Sequence, residues 1–147
     1  MRALLSAFLV IAALLGPVRA QPAPSDRAAI EAVIAAQIEA FRRDDAPAAF
    51  AFAAPGIQAM FGTPERFMGM VRGAYAPVYR PRQVEFAGIE PQDGGWVQAV
   101  ELVGPDGEAQ RALYTMQRGP DGAWRIAGCV LVRSERLSTS LKGRRAA

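Results

Sequence analysis

The spacing of apolar positions changes once along this chain, near Arg82, and the change separates a helical part from a strand part. After Ser25-Asp26, residues Ile30, Val33, Ile34, Ile38 and Phe41 recur at three- and four-residue intervals, while Arg27, Glu31, Glu39, Arg42 and Arg43 fall mostly outside that stripe. Such spacing predicts a long amphipathic helix from about Asp26 to Arg43, with Ser25 and Asp26 as its capping end and Asp44-Asp45 as its turn. Asp45 can cap a second, shorter helix through Pro47 to Ala53, which Pro55-Gly56 stops. Thr63-Pro64-Glu65 opens a third helix with an N-cap, a proline at the first helical position and an acidic residue behind it. Phe67, Met70, Val71 and Ala74 continue it, and Pro77 forbids its extension past about Tyr75.

From Arg82 onward the period falls to about two, over Gln83 to Ile89, Trp96 to Val103, Gln110 to Arg118 and Trp124 to Arg133. Between the last three segments stand Gly104-Pro105-Asp106-Gly107 and Gly119-Pro120-Asp121-Gly122. Proline fixes φ at the second position of a type I turn, and the closing glycine accepts the left-handed position of a bulge, so both tetrapeptides mark hairpins. Three helices followed by a four-stranded antiparallel meander is an α+β layout with the helices over one face of the sheet.

Length and composition add a leader and a single domain. Arg2, an apolar run from Ala3 to Leu15, the break at Gly16-Pro17 and the small residues Val18 and Ala20 form a secretory signal pattern, cleaved after Ala20. A run of about 13 residues is short of the roughly 20 that span a bilayer, so the mature chain is expected to be periplasmic or secreted, with no membrane insertion after cleavage. The expected organisation is a signal at 1–20, a linker at 21–25, one domain at 26–133 and a basic tail at 134–147. Loss of Arg2 and Arg19 leaves 15 of the 17 basic residues against 14 acidic ones. The surplus sits in Arg133, Arg136, Lys142, Arg144 and Arg145, a stretch without aromatics that is expected to be a solvated terminus; no nucleic-acid partner is expected.

Composition also excludes chemistries. The chain has no histidine and one cysteine, which removes Ser-His-Asp and Cys-His catalysis, histidine zinc sites, thiolate clusters and any intramolecular disulfide. Neither a phosphate-binding glycine loop nor a dinucleotide fingerprint occurs. Met68-x-Met70 could offer soft ligands to Cu(I), but residues two apart on a helix point about 200° from one another, and core packing is the better account. Cys129, between Gly128 and Val130-Leu131, reads as a small buried hydrophobe. No metal, cofactor or catalytic residue is therefore assigned. What remains is a set of aromatic residues with polar tips, Tyr75, Tyr79, Tyr114 and Trp124, which suit the wall of a small-molecule pocket, with Arg80 as a cation at its rim. Alternation in the third strand places Ala112, Tyr114 and Met116 on the helix-covered face. An ordinary aromatic core with surface arginines fits the same residues.

Arg43-Asp44-Asp45, Ala49 to Ala53, Pro55-Gly56-Ile57-Gln58, Met60-Phe61-Gly62, Arg66-Phe67-Met68 and Tyr75-Ala76-Pro77-Val78-Tyr79-Arg80-Pro81 together resemble the bacterial domain of unknown function 4864. Leu102 to Gly107, Ala112-Leu113-Tyr114 and Asp121 to Cys129 extend the likeness, which runs from about Ala28 to Val132. The resemblance implies a nuclear-transport-factor-2-like cone, a curved antiparallel sheet wrapping a long helix around a cavity. It implies no activity: enzymes of that superfamily place an Asp or an Asp/His pair in the cone, and no carboxylate stands at this chain's inward-reading sheet positions.

The expected function is capture of a small apolar molecule by an exported, non-enzymatic domain with a partly apolar cavity. Proton transfer by a carboxylate or tyrosine, and protein interaction through the sheet, are the alternatives. The second and fourth strands carry apolar residues on both faces, including Val97, Ala99 and Val103 opposite Trp96, Val100 and Leu102. A half-covered sheet should instead be polar outside. The simplest cover is an identical copy on a two-fold axis, which the superfamily resemblance also implies; a partner protein, or curvature together with the basic tail, would satisfy the same pattern. Sedimentation velocity across a concentration series should then show a monomer–dimer equilibrium; a monomer at every concentration, with no partner recovered, contradicts the expectation.

Overall fold

Proline and aspartate positions set where the helices begin and end. In the computed structural model, which describes residues 20–134, α1 spans Pro24–Arg42 with Pro24 in its first turn and Ala23 as an N-cap without a side-chain hydrogen bond. The helix thus starts two residues before Asp26. Pro24 carries a φ already suited to the first turn, so Pro24 and Ser25 belong to the helix and not to a linker, and Ser25 is not the cap. Apart from Ala20 and Ser134, the expected leader and basic tail lie outside the described residues.

At the other end of α1 the amide of Asp45 donates to the carbonyl of Ala40 at 2.9 Å and that of Asp44 to Phe41 at 3.0 Å. This is a Schellman closure, whose left-handed position normally holds glycine; here Asp44 holds it at φ 55°. Asp45 caps α2 (Ala46–Ala51) by accepting from the Ala48 amide at 3.1 Å. The expected stop at Pro55-Gly56 is instead the start of a further helix, α3 (Pro55–Phe61). Proline serves both purposes, since it breaks the helix before it and fits the first turn of the one after it. Thr63 caps α4 (Pro64–Ala74) as expected, accepting from the Arg66 amide at 3.3 Å. Pro77, beyond the end of α4 as expected, lies in the single-turn helix α5 (Ala76–Tyr79).

Four strands follow, β1 (Gln83–Gln92), β2 (Gly95–Val103), β3 (Ala109–Arg118) and β4 (Trp124–Arg133), antiparallel and in the order β1-β2-β3-β4. β1 runs past the expected Ile89 through Pro91, which an edge strand tolerates because proline's missing N–H can face outward. Gly107 and Gly122 close the two Gly-Pro-Asp-Gly turns at φ 84° and 79°. The left-handed strain avoided there is about 1–2 kcal/mol for a residue with a Cβ. In both turns the aspartate carboxylate accepts the amide two residues on, Asp106 from Glu108 and Asp121 from Ala123.

The helices cover one face of this curved sheet, an α+β arrangement. Ile30, Ile34, Ile38 and Phe41 of α1 and Val100, Leu102, Ala112, Tyr114 and Met116 of the sheet form one buried core. A fully buried side chain of this size contributes about 1.5–3 kcal/mol. Phe67 of α4 collects the rings of Phe41, Phe50 and Phe61 at centroid distances of 6.1, 5.5 and 5.6 Å. The link between α2 and α3 lies along the edge of β4, where Ile126 donates to the Phe52 carbonyl and accepts from the Ala54 amide. On the opposite face of the sheet, Glu101 is buried in an ion pair with Arg111 and accepts from Ser134, while Val130 is 58 % exposed. Among the described residues no helix is long and apolar enough to cross a membrane.

Candidate functional site

Two bulges decide which side chains face the helices. Strict alternation from Ile126 would put Cys129 on the outer face, but β4 gains a residue between Ile126, opposite Met116, and Gly128, opposite Thr115. Cys129 consequently pairs with Tyr114 and shares its inner face. A corresponding shift in β1 between Phe86 and Ile89 keeps both of these facing inward, opposite Val100 and Gln98.

Beside Tyr114 and Cys129 the core is not filled. A pocket of about 240 Å³ lies between α1, α3, α4 and β4, walled mainly by Phe41, Ile57, Phe61, Phe67, Met70 and Val71. Its polar groups are few. Gln37 gives its Nε2 to the Ala49 carbonyl at 3.0 Å, and Tyr75 gives its hydroxyl to the Cys129 carbonyl at 3.0 Å. The Tyr114 hydroxyl is fully buried and has no hydrogen-bond partner. The Cys129 thiol stands next to it, and the two side chains interact. Burial pushes the tyrosine far above its ordinary range and the thiol up to about 12, so both keep their protons at any physiological pH. Among the described residues no charged side chain lines this pocket.

Of the aromatic residues singled out in the sequence, the structure brings Tyr75 and Tyr114 together here and places the others elsewhere. Tyr79 and Arg80 meet Asp44 at the α1–α2 corner. There the Asp44 carboxylate accepts from Tyr79, from Arg72 at 3.1 Å and from Arg80 at 2.9 Å. The Arg80 guanidinium also lies 4.1 Å from the centroid of the Tyr79 ring and donates to the Phe41 carbonyl at the end of α1. This cluster fastens α4 and α5 to α1 and does not reach the pocket. Trp124 belongs to a separate depression at the start of α1, with Arg118 over its ring at 5.0 Å and Asp26 within 3.4 Å of its Nε1.

Comparison with known proteins places the chain in a family. The model of the domain of unknown function DUF4864 matches residues 23–139. The chain belongs to that family. Among solved structures, Aln2 from a Streptomyces species matches with a TM-score of 0.49 and 17% identity, over 81% of this chain and 98% of its own. No curated protein matches.

Residues that sequence reasoning passed over supply most of the pocket. Gln37 sits within the α1 stripe, but a polar residue there carries no spacing signal. Ile57, Met60 and Phe61 come from α3, the helix hidden behind Pro55-Gly56. Cys129 needed the bulge. No group of histidine, cysteine, aspartate and glutamate among the described residues could hold a metal ion.

The corner cluster yields a pH dependence. Hydrogen bonds from Tyr79 and then Arg72 hold the Asp44 carboxyl below its ordinary value of 3.8. A depressed carboxylate stabilises the fold fully above the unfolded pKa and loses that contribution as pH falls through the folded one. Asp121, held down by the Ala123 amide, acts in the same direction. Thermal unfolding of Asp44→Asn should therefore start from a lower midpoint at pH 7 and lose less than the wild type between pH 5 and 2. Parallel losses would show that the cluster contributes nothing to acid stability.

Proposed function

We propose that this chain is a small-molecule-binding domain that takes a compact, neutral, largely apolar ligand between its helices and sheet. The observation supporting the reading is the unfilled space beside Tyr114. About 240 Å³ stands open there within an apolar wall whose rim, at the exposed Met60, reaches solvent. That is somewhat under the roughly 300–1,000 Å³ of pockets for drug-sized ligands, so the guest is small. The helices-then-meander order and the sequence resemblance support a nuclear-transport-factor-2-like cone as the frame, and the leader pattern of residues 1–20 supports an extracytoplasmic setting.

Proton transfer is the weaker alternative. A general base must shed its proton near the working pH, whereas Tyr114 and Cys129 are both pushed well above neutrality. The carboxylate of Asp44 is engaged outside the pocket.

Saturation-transfer NMR with naphthalene-sized neutral compounds tests capture. The wild type should give transfer from bound ligand, and Ile57→Trp, which adds bulk at the α3 wall, should weaken it by about tenfold or more. Transfer of equal strength in Ile57→Trp and in a second filling variant, Val71→Phe, would place binding elsewhere on the surface and contradict the proposal.

A further inference from the structure

The end of β4 turns over the sheet instead of running off it. Its pairing with β3 stops at Arg133, opposite Gln110, and the next residue, Ser134, donates its hydroxyl to Glu101 of β2, two strands away. Glu101, its cross-strand partner Arg111 and Val132 opposite Arg111 all lie on the face turned away from the helices. The chain therefore leaves β4 across that outer face. It is covered as it does so: Ser134 is 1 % exposed and Glu101 4 %, although the helices pack on the other side. A serine resting on the outside of a sheet needs more chain above it to be buried to that degree.

Residues 135–147 follow directly. The other segment outside the described residues precedes α1, whose first turn stands at the opposite end of the sheet, where Asp26 meets Arg118 and Trp124. We propose that the C-terminal segment 135–147 docks on its own sheet, lying over the outer face of β2 and β1 with its basic residues against Glu85 and Glu90.

Charge, apolar spacing and length support this occupant. Glu85 stands directly opposite Glu101 in the β1–β2 ladder, and Glu90, opposite Val97, follows on the same face. Like charges in that position repel. Neither strand contains a lysine or arginine, and Arg111 of β3 is paired with Glu101. The segment brings Arg136, Lys142, Arg144 and Arg145 against Glu135. Its Leu137 and Leu141 are four apart, which sets them on one side of an extended or a helical segment alike, and Val97, Ala99 and Leu113 offer half-buried apolar surface beside the carboxylates. The strip from Glu101 to Val97 is about 13 Å long at roughly 3.3 Å per residue, well within the reach of thirteen residues. Val130 and Val132 on β4 lie to one side of it. The segment is then not the solvated terminus expected from its composition.

A nitroxide attached at Ser140→Cys in the mature protein tests the placement by paramagnetic broadening of amide NMR signals. Cys129 is buried, with its thiol pushed up to about 12, and should take up no label; the wild type treated alike supplies the blank. The amides of Glu85, Val97, Ala99 and Leu113 should broaden strongly while those of α3 and α4 do not, and dilution should leave the pattern unchanged. Glu85→Lys combined with Glu90→Lys should reduce the broadening by about twofold or more, as should added salt, which screens exposed charges. Removal of residues 135–147 needs no label and should shift the same four amides. Broadening no greater on the outer face than on the helices, broadening indifferent to the charge reversal, or broadening that fades on dilution because the segment sits on a second copy would each overturn the proposal. So would a truncated protein whose outer-face signals match those of the full chain.

Discussion

Burial of the α1 stripe, Ile30, Ile34, Ile38 and Phe41, against Val100, Ala112, Tyr114 and Met116 of the sheet is the contact from which the other features follow. With one cysteine in the chain, no internal disulfide can share the load, and the fold depends on apolar packing. A single straight helix covers only a strip of a curved sheet. The rest of the inner face falls to α2, α3, α4 and α5, which together offer short and irregular surfaces. Where α3 and α4 approach β4, that cover is incomplete, and the pocket lies at that junction.

The corner at Asp44 shows how the short helices are held in place. A left-handed aspartate is less comfortable than a glycine at the end of a helix, yet a glycine could not bring together Tyr79, Arg72 and Arg80. Local backbone cost is exchanged for a connection between three helices. Two of the aromatic and basic residues that suggested a binding site, Tyr79 and Arg80, are engaged in this way. The same residue types can line a pocket or tie a corner, and spacing does not distinguish them.

The strand half of the fold was legible because its signals are local: each Gly-Pro-Asp-Gly dictates a turn regardless of what surrounds it. The inward face of β3 followed from alternation, and Ala112, Tyr114 and Met116 are all buried there. The helical half was legible where caps were explicit, at Asp45 and Thr63. It was missed at α3, because Pro55-Gly56 is equally good as an ending and a beginning. At the site, Tyr75 and Tyr114 could be named, whereas Cys129 could not, since the extra residue in β4 that turns it inward is fixed by pairing with β3 and leaves no mark in the sequence. Trp124 reads as a pocket aromatic until the position of Asp26 one helix away shows what its indole N–H faces.

The central claim is that an apolar pocket remains open beside Tyr114, and a probe without chemistry of its own tests it most directly. Xenon enters dry apolar cavities without needing a polar partner. Crystals of the mature protein held under xenon should show the atom between Phe67, Val71 and Tyr114, with those side chains unmoved relative to crystals without gas. Absence of xenon there, with Ile57 or Met70 packed against Tyr114, would show an interior that closes on itself and would contradict the account.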